Sequence, residues 1–519
     1  MKITKLVLLG IILSVIGILT ACGNDDEKSG DTAKSYKDEI NVAVTAQPPT
    51  LDTALTVSAV ALDIAGNVFE QLYTMNEHYE PTPVLAQSVE ESKDGKTYNF
   101  KLREGVKFHN GDEMKASDVA ASMNYWLKTS SRAKALLNGA TFKEDGDYNV
   151  ILTVKNPTSD VLTLISAQAQ FPSIMPKSII DKAGKDGIKE YIGTGPYKFK
   201  EWKQDQYITL TRNDDYQSLK GKASGFAGEK KAPTKTIKYS FVSDTATRVA
   251  GIQTGKYDVA DSIPTENYEQ LSTIPNVKLS KKQDGALTAF FNTNEGVFKD
   301  EKIRQAALAA LDNEEIMLAA FAQKDLYSLN AGYLNPDAKQ WATDADSEYY
   351  NQADTAKAKQ LLKDSKYNGE EITLITTKDY AEMYAGTLVV QDQLKKAGFN
   401  VKVENYDFPT FLETKNDHSK WDLFLASTGY QPTPPQLLVV TPDWAGLNDD
   451  KVKAGLEKIR SAKTPEDAQK QWADVQGYLY EHAYATVIGH YNAVVATTNK
   501  VNNFLQFEAP IVWNAKVEK

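Results

Sequence analysis

The side chains best able to ligate a metal or act as a nucleophile are few: His78, His109, His418, His482 and His490, and a single cysteine, Cys22. Only His482 and His490 stand close together, in a stretch that reads as strand, where two satisfied polar residues are expected rather than two ligands. A hydrolase, a zinc peptidase, a nucleotide-binding enzyme or a dehydrogenase would carry a Gly-x-Ser-x-Gly elbow, a His-Glu-x-x-His helix, a P-loop lysine or the Rossmann glycines. None of these motifs is present. The segment Gly193-Thr194-Gly195-Pro196-Tyr197 has the composition of a phosphate loop. A loop that offers backbone N–H groups to phosphate has no use for Pro and a bulky Tyr there, so a tight structural turn is expected. Carboxylates are plentiful, and sequence alone pairs none of them across a site. The expectation is therefore no catalytic residue, no metal ligand, no cofactor and no enzyme.

Aromatic surface is what the chain has in quantity: 26 Tyr, 18 Phe and 7 Trp. Most must serve the core, but Tyr and Trp also carry a polar handle, which suits a cleft closing over a polar organic ligand. At 41% hydrophobic and 25% charged, the 519 residues are neither disordered, collagen-like nor multiply membrane-spanning. A net charge of −10 argues against nucleic acid as a partner.

The N-terminus positions Cys22. Lys2 and Lys5 precede an apolar stretch from Leu6 to Leu19, which ends at Leu19-Thr20-Ala21-Cys22. This is the layout of a secretory signal, and the apolar run is shorter than the roughly 20 residues a transmembrane helix needs. Small residues before a lone cysteine resemble the lipobox of bacterial lipoproteins. That resemblance implies cleavage after residue 21 and diacylglycerol attached to the sulfur of Cys22; the alternative is an ordinary signal peptide with an incidental cysteine. Residues 22–35, in which Cys22 is followed by Gly23-Asn24-Asp25-Asp26-Glu27-Lys28-Ser29-Gly30-Asp31, read as a flexible tether.

From Ile40 onward strand and helix patterns are interspersed, richer in strand before about Pro275 and in helix after it. Alternation predicts strands over Tyr98–Arg103, Tyr148–Val154 and Tyr207–Arg212. Ser117 is placed to cap a helix through Val119, Met123, Trp126 and Leu127. One long helix is expected over Asp300–Phe321, with Ile303, Ala306, Ala307, Ala310, Leu311, Leu318 and Phe321 on its apolar stripe. A further helix starts at Asp354. The strand Ile372–Thr376, the helix Tyr384–Lys396 capped at Gly398, and the strand Phe399–Val403 form a βαβ unit, hence a parallel sheet.

The ordered motifs resemble the extracytoplasmic solute-binding proteins of the peptide and nickel class that serve ABC importers. They are Gln47-Pro48-Pro49-Thr50-Leu51-Asp52; Phe69-Glu70-Gln71-Leu72-Tyr73; Pro81 to Ala86; Phe100 to Gly111 (FKLREGVKFHNG) with Asp118-Val119; Gly193 to Trp202; Arg212-Asn213; Gly255-Lys256-Tyr257-Asp258; and Phe291-Asn292-Thr293 leading to Arg304-Gln305-Ala306. The resemblance covers nearly all of residues 40–515. It implies an α/β, two-lobed periplasmic-binding-protein-like fold with an extra subdomain in the N-terminal lobe and a ligand cleft between the lobes. The expected boundaries are a signal peptide at 1–21 and lobe I at 36–273 plus 490–519. The subdomain would lie at about 59–180 and lobe II at 274–489.

The function so implied is capture of short peptides and delivery to the permease and ATPase subunits, by a monomer lipid-anchored outside the bacterial cell membrane. In the family's peptide binders a segment resembling Gly-Trp-x-x-Asp supplies a carboxylate for the ligand's α-amino group. Here Gly429 matches, Tyr430 stands for Trp and Thr433 for the acid. Either another carboxylate, such as Asp443 or Asp407, takes the amine, or the ligand is a blocked or very short peptide, a single amino acid such as cysteine, or an oligosaccharide. Nickel transport would want histidine near this loop, and His418 is the one close in sequence. A peptide-sensing or chaperone-like surface lipoprotein is the competing class. The ligand-facing expectations are Leu55, Thr56, Val57 and Ser58 on the first lobe, and Gly429, Tyr430, Gln431 and Thr433 on the second.

Overall fold

Two long antiparallel strands, Val277–Phe291 and Ala485–Thr498, organise the computed structural model, which describes residues 35–519. Cys22, the expected signal peptide and nearly all of the expected tether lie outside the described residues. The two strands pair from Val277↔Thr498 to Phe290↔Ala485, and each borders a different part of one 11-stranded sheet. Beyond Val277–Phe291 lie Leu423–Gly429, Glu371–Thr377 and Asn400–Tyr406; beyond Ala485–Thr498 lie Val259–Ala260, Glu39–Val44, Thr236–Phe241, Tyr207–Arg212 and Tyr197–Lys203. The chain thus crosses between the two halves of the sheet on the strands that pair at its centre.

The βαβ expectation is met: Glu371–Thr377 and Asn400–Tyr406 run parallel, joined by the helix Ala381–Ala397, which ends at Gly398 with φ of 104°. The single helix expected over Asp300–Phe321 is instead two, Glu301–Ala310 and Asn313–Phe321. Asp312 interrupts it by turning its carboxylate to the backbone N–H of Glu315 as an N-cap at 3.2 Å, which resets the helical phase. Ile316, Met317 and Phe321 are consequently buried, while Leu318, expected on the apolar stripe, is 42% exposed.

A separate four-stranded antiparallel sheet orders Ala86–Glu91, Thr97–Leu102, Asn149–Thr153 and Thr141–Glu144, with the helix Ala116–Thr129 against it. Leu85, Phe100, Met123, Trp126, Leu152 and Ile174 belong to its own core. The helix Ala59–Val68, inside the segment expected to be the subdomain, contributes Leu62, Ile64 and Val68 to the core under the first half of the main sheet. On the other side one cluster runs from Ala43 and Val249 through Phe291, Ala306 and Leu374, so apolar packing is continuous beneath the long strands.

Motifs of the opening reading serve this scaffold. Asp52 is fully buried and accepts from the Tyr125 hydroxyl at 2.6 Å and the Ile188 N–H at 3.0 Å. The Gly193–Tyr197 segment is a packing turn: a Cβ on Gly193 would lie 2.1 Å from the Val68 carbonyl, and His109 bonds both Gly193 and Gly195.

Candidate functional site

Where the halves of the sheet meet, a cavity of about 630 Å³ opens, within the range of small-molecule sites. The first helix presents Ala59, Leu62 and Asp63 to it, a spacing of three and four residues that places all three on one helical face. Ser58 sets where that helix begins, accepting from the Ala61 N–H. Tyr79, Arg132, Thr163 and Gln168 continue the same wall. The other wall consists of Leu334, Asn335, Lys339, Trp341 and the loop Gly429–Pro432, and the indole N–H of Trp341 donates to the Pro432 carbonyl at 3.1 Å.

Asp284 sits at the seam. The pairing of the long strands slips between Gln283↔Asn492 and Gly285↔Tyr491, leaving Asp284 as the unpaired residue of a β-bulge. A bulge re-aims a side chain, and Asp284 lines the cavity. Glycine at 285 is required by close approach: a Cβ there would lie 2.2 Å from the Thr428 carbonyl and 2.4 Å from the Tyr491 hydroxyl. The third acid, Glu508, occupies the tip of the hairpin between Leu505–Gln506 and Pro510–Ile511. Phe507 beside it is packed on Tyr79 and Phe226.

Among the described residues, none gives Asp63, Asp284 or Glu508 a side-chain hydrogen bond or an ion pair. Burial pushes the Asp63 carboxyl well above the usual carboxylate range, and the charges of Asp261 and Asp284 add to the rise. Asp284 is pushed up to about 6 by burial and by Asp261. Glu508 is pushed up to about 7 by burial and Asp284, against the pull of Lys282, whose ammonium is held by Asp337 at 2.7 Å. Carboxylates that repel one another across one cavity favour any ligand that brings positive charge among them.

Residues 80–442 match the model of the bacterial extracellular solute-binding proteins, family 5 Middle. The chain belongs to this family. This solute-binding protein is 26% identical over 495 residues to the oligopeptide-binding protein AppA of Bacillus subtilis (strain 168), spanning 88% of the chain and 85% of that relative. It is 28% identical over 443 residues to the dipeptide-binding protein DppE of the same organism, spanning 79% of each. Its fold is that of NikA from Brucella suis, solved in complex with Fe(III)-EDTA, with a TM-score of 0.79 at 23% identity, covering 93% of this chain and all of the other. The family is one of extracytoplasmic, non-enzymatic substrate-binding proteins of ABC importers.

Of the residues expected to face the solute, Val57, Gly429, Tyr430 and Gln431 line the cavity of the solute-binding protein. Leu55 is 43% exposed but is not among the lining residues. Thr56 is buried, with its hydroxyl accepting from the Ser58 N–H, and Ser58 is committed to its helix cap. Thr433 is not a lining residue: fully buried, it donates its hydroxyl to Gln436 at 3.0 Å. The Tyr430 hydroxyl lies 2.6 Å from Nδ1 of the buried His490, which burial holds down to about 4. The ring of Tyr430 is thereby fixed as part of the wall. Asp407 caps its own helix through the Thr410 N–H, and the Asp443 side chain lies outside the described ones. His418 packs on Trp421 and is absent from the lining.

Asp63, Asp284 and Glu508 were not singled out from the sequence. Two of them had a signal. An Asp-Gly pair inside the long alternating run Val277–Phe291 marks a bulge, and one acid in Ala-Val-Ala-Leu-Asp-Ile-Ala-Gly-Asn-Val is a charge without an evident partner. Glu508 lies in a tail with no such cue.

Proposed function

We propose that this solute-binding protein captures short peptides through their free α-amino group and delivers them to the membrane permease of an ABC importer. The observation that carries the reading is the set of three unpartnered carboxylates at the seam of the cavity. An ammonium placed among Asp63, Asp284 and Glu508 would relieve their mutual repulsion and supply charge-assisted hydrogen bonds. Arg132 and Lys339, the cations among the lining residues, would suit a peptide's terminal carboxylate. The names of the relatives, oligopeptide- and dipeptide-binding, support the same substrate class.

In this reading lobe I spans 36–273 plus 490–519 and lobe II 274–489. The paired long strands would be the hinge, and binding would favour the closed population that the permease recognises. Cys22 would carry the lipid that holds the protein beside its permease, which the mass of the mature N-terminal peptide reads directly.

The test is a calorimetric panel of tri-alanine, N-acetyl-tri-alanine, cysteine and maltose. Tri-alanine is expected to bind and the acetylated form to bind at least tenfold more weakly, since its amine can no longer ionise. Equal affinity for the two, or binding of maltose alone, overturns the reading.

A further inference from the structure

The cavity walls are joined at a second place, away from the long strands. Arg460 closes the helix Asp450–Arg460 of the second half of the chain, and its guanidinium reaches into the subdomain. Nη2 donates to the Leu136 carbonyl at 2.6 Å, Nε donates to the Thr158 hydroxyl at 3.3 Å and lies 3.9 Å from the Asp160 carboxylate. The backbone seals the same contact: the Ser159 N–H donates to the Arg460 carbonyl at 2.8 Å, and the Ser159 hydroxyl to the Ile459 carbonyl at 3.0 Å. Ser159 and Arg460 thus carry a cluster of hydrogen bonds between segment 59–180 and segment 274–489.

None of these residues lines the cavity, yet each side of the contact leads to a wall of it. Asp160 begins the helix Val161–Ser166, whose Thr163 and following Ala167, Gln168 and Ala169 are lining residues; Leu136 ends the helix that carries Arg132, another lining residue. Arg132 also donates to the Ala169 carbonyl, tying those two elements together. Across the gap, the helix ending in Arg460 packs on the turn Pro434–Gln436, which follows directly on the lining loop Gly429–Pro432. Asp160 is 4% exposed, and Arg460 is the cation beside it. Separation of the walls would strip that buried carboxylate of its counter-charge at the moment of opening, when water must replace it.

We infer that Arg460, with Ser159 and Asp160, is a closure latch: a positioning residue that sets how much of the protein is closed, and hence solute affinity, without touching the solute. The inference rests on the two-lobe reading above. A latch of this kind acts on the population of the binding-competent form, so its loss reduces apparent affinity by the fraction of that form lost.

The direct test needs no solute. Nitroxide labels at Lys143→Cys and Lys470→Cys, both exposed positions, in the Cys22→Ser chain report the distance across the contact. In Arg460→Ala, and in Arg460→Gln should the first variant fail to fold, the distance distribution of the ligand-free protein is expected to move to longer values, with Arg460→Lys intermediate. Tri-alanine should then dissociate roughly tenfold faster from Arg460→Ala with its association rate within about twofold of wild type. Superimposable distance distributions in wild type and both variants overturn the latch, whatever peptides do. If the distances lengthen but no peptide binds either protein, the latch stands and the peptide reading falls.

Discussion

Glu70 and Asp63 lie seven residues apart, one just beyond and one within the first helix, and their carboxylates have opposite fates. Glu70 is 4% exposed and accepts from the Lys230 ammonium at 3.1 Å, the Tyr216 hydroxyl at 2.8 Å and the Thr194 hydroxyl at 3.0 Å. Asp63 faces the cavity with no such partner, and its neighbours in charge are acids. A buried charge is held either by its own protein or by whatever the protein binds. The difference separates a carboxylate that the fold holds from one that the fold leaves without a partner at the cavity wall, although the two read alike in sequence.

Truncating the satisfied acid tests this contrast most directly. Glu70→Ala leaves the Lys230 ammonium, 8% exposed, without its carboxylate, and a buried pair broken on one side costs about 3–5 kcal/mol. Urea unfolding should show that loss, while tri-alanine affinity of the folded fraction stays within about twofold. A large fall in affinity with unchanged stability would mean that Glu70, too, serves the solute.

Asp284→Asn should do the reverse. Removing a carboxylate that pairs with a bound ammonium costs about 2 kcal/mol or more, a rise of roughly thirtyfold in the Kd for tri-alanine. Ligand-free stability at pH 7.5 should hold or rise, because a repulsive charge is gone. The pH dependence follows from the raised carboxyls. A group whose pKa is higher folded than unfolded adds stability that is fully present below the ordinary carboxylate range and is lost as pH rises through its folded value. With Asp284 at about 6 and Glu508 at about 7, the ligand-free protein loses this contribution between about pH 4 and 7. Peptide affinity moves the other way, weakest where the carboxyls hold protons and strongest above about pH 7. His490 and His109, both held down to about 4 by burial, subtract stability as pH falls below the usual histidine range. The difference between wild type and Asp284→Asn therefore isolates the carboxyl contribution; identical pH profiles of peptide affinity in the two proteins would remove Asp284 from the site.

Much of the scaffold was legible because its signals are local. The strand Tyr207–Arg212, the cap at Asp354 and the Gly398 terminus follow from alternation and capping chemistry. What misled was a residue with two readings: Asp312 lies within an unbroken apolar period, and its capping hydrogen bond outweighed that period. Of the residues expected to face the solute, Val57, Gly429, Tyr430 and Gln431 line the cavity, near stretches with a family resemblance of their own. The site was obscure where three elements far apart in the chain bring Asp63, Asp284 and Glu508 together, since the repulsion that marks them exists only in three dimensions.

Thr433 gives the smallest effect and the finest cut between the two kinds of residue. It stands where an acid would be expected to meet the amine, yet its hydroxyl is spent on Gln436 inside the turn that follows the lining loop. Thr433→Val keeps the shape and removes one hydrogen bond. Gln436 is partly exposed, so water can take up its freed oxygen and the cost should be about 0.5–1 kcal/mol of stability. Tri-alanine affinity should be unchanged within about twofold. If affinity instead drops tenfold while stability holds, the hydroxyl reaches the solute, and the amine site extends from the seam toward the Gly429 loop.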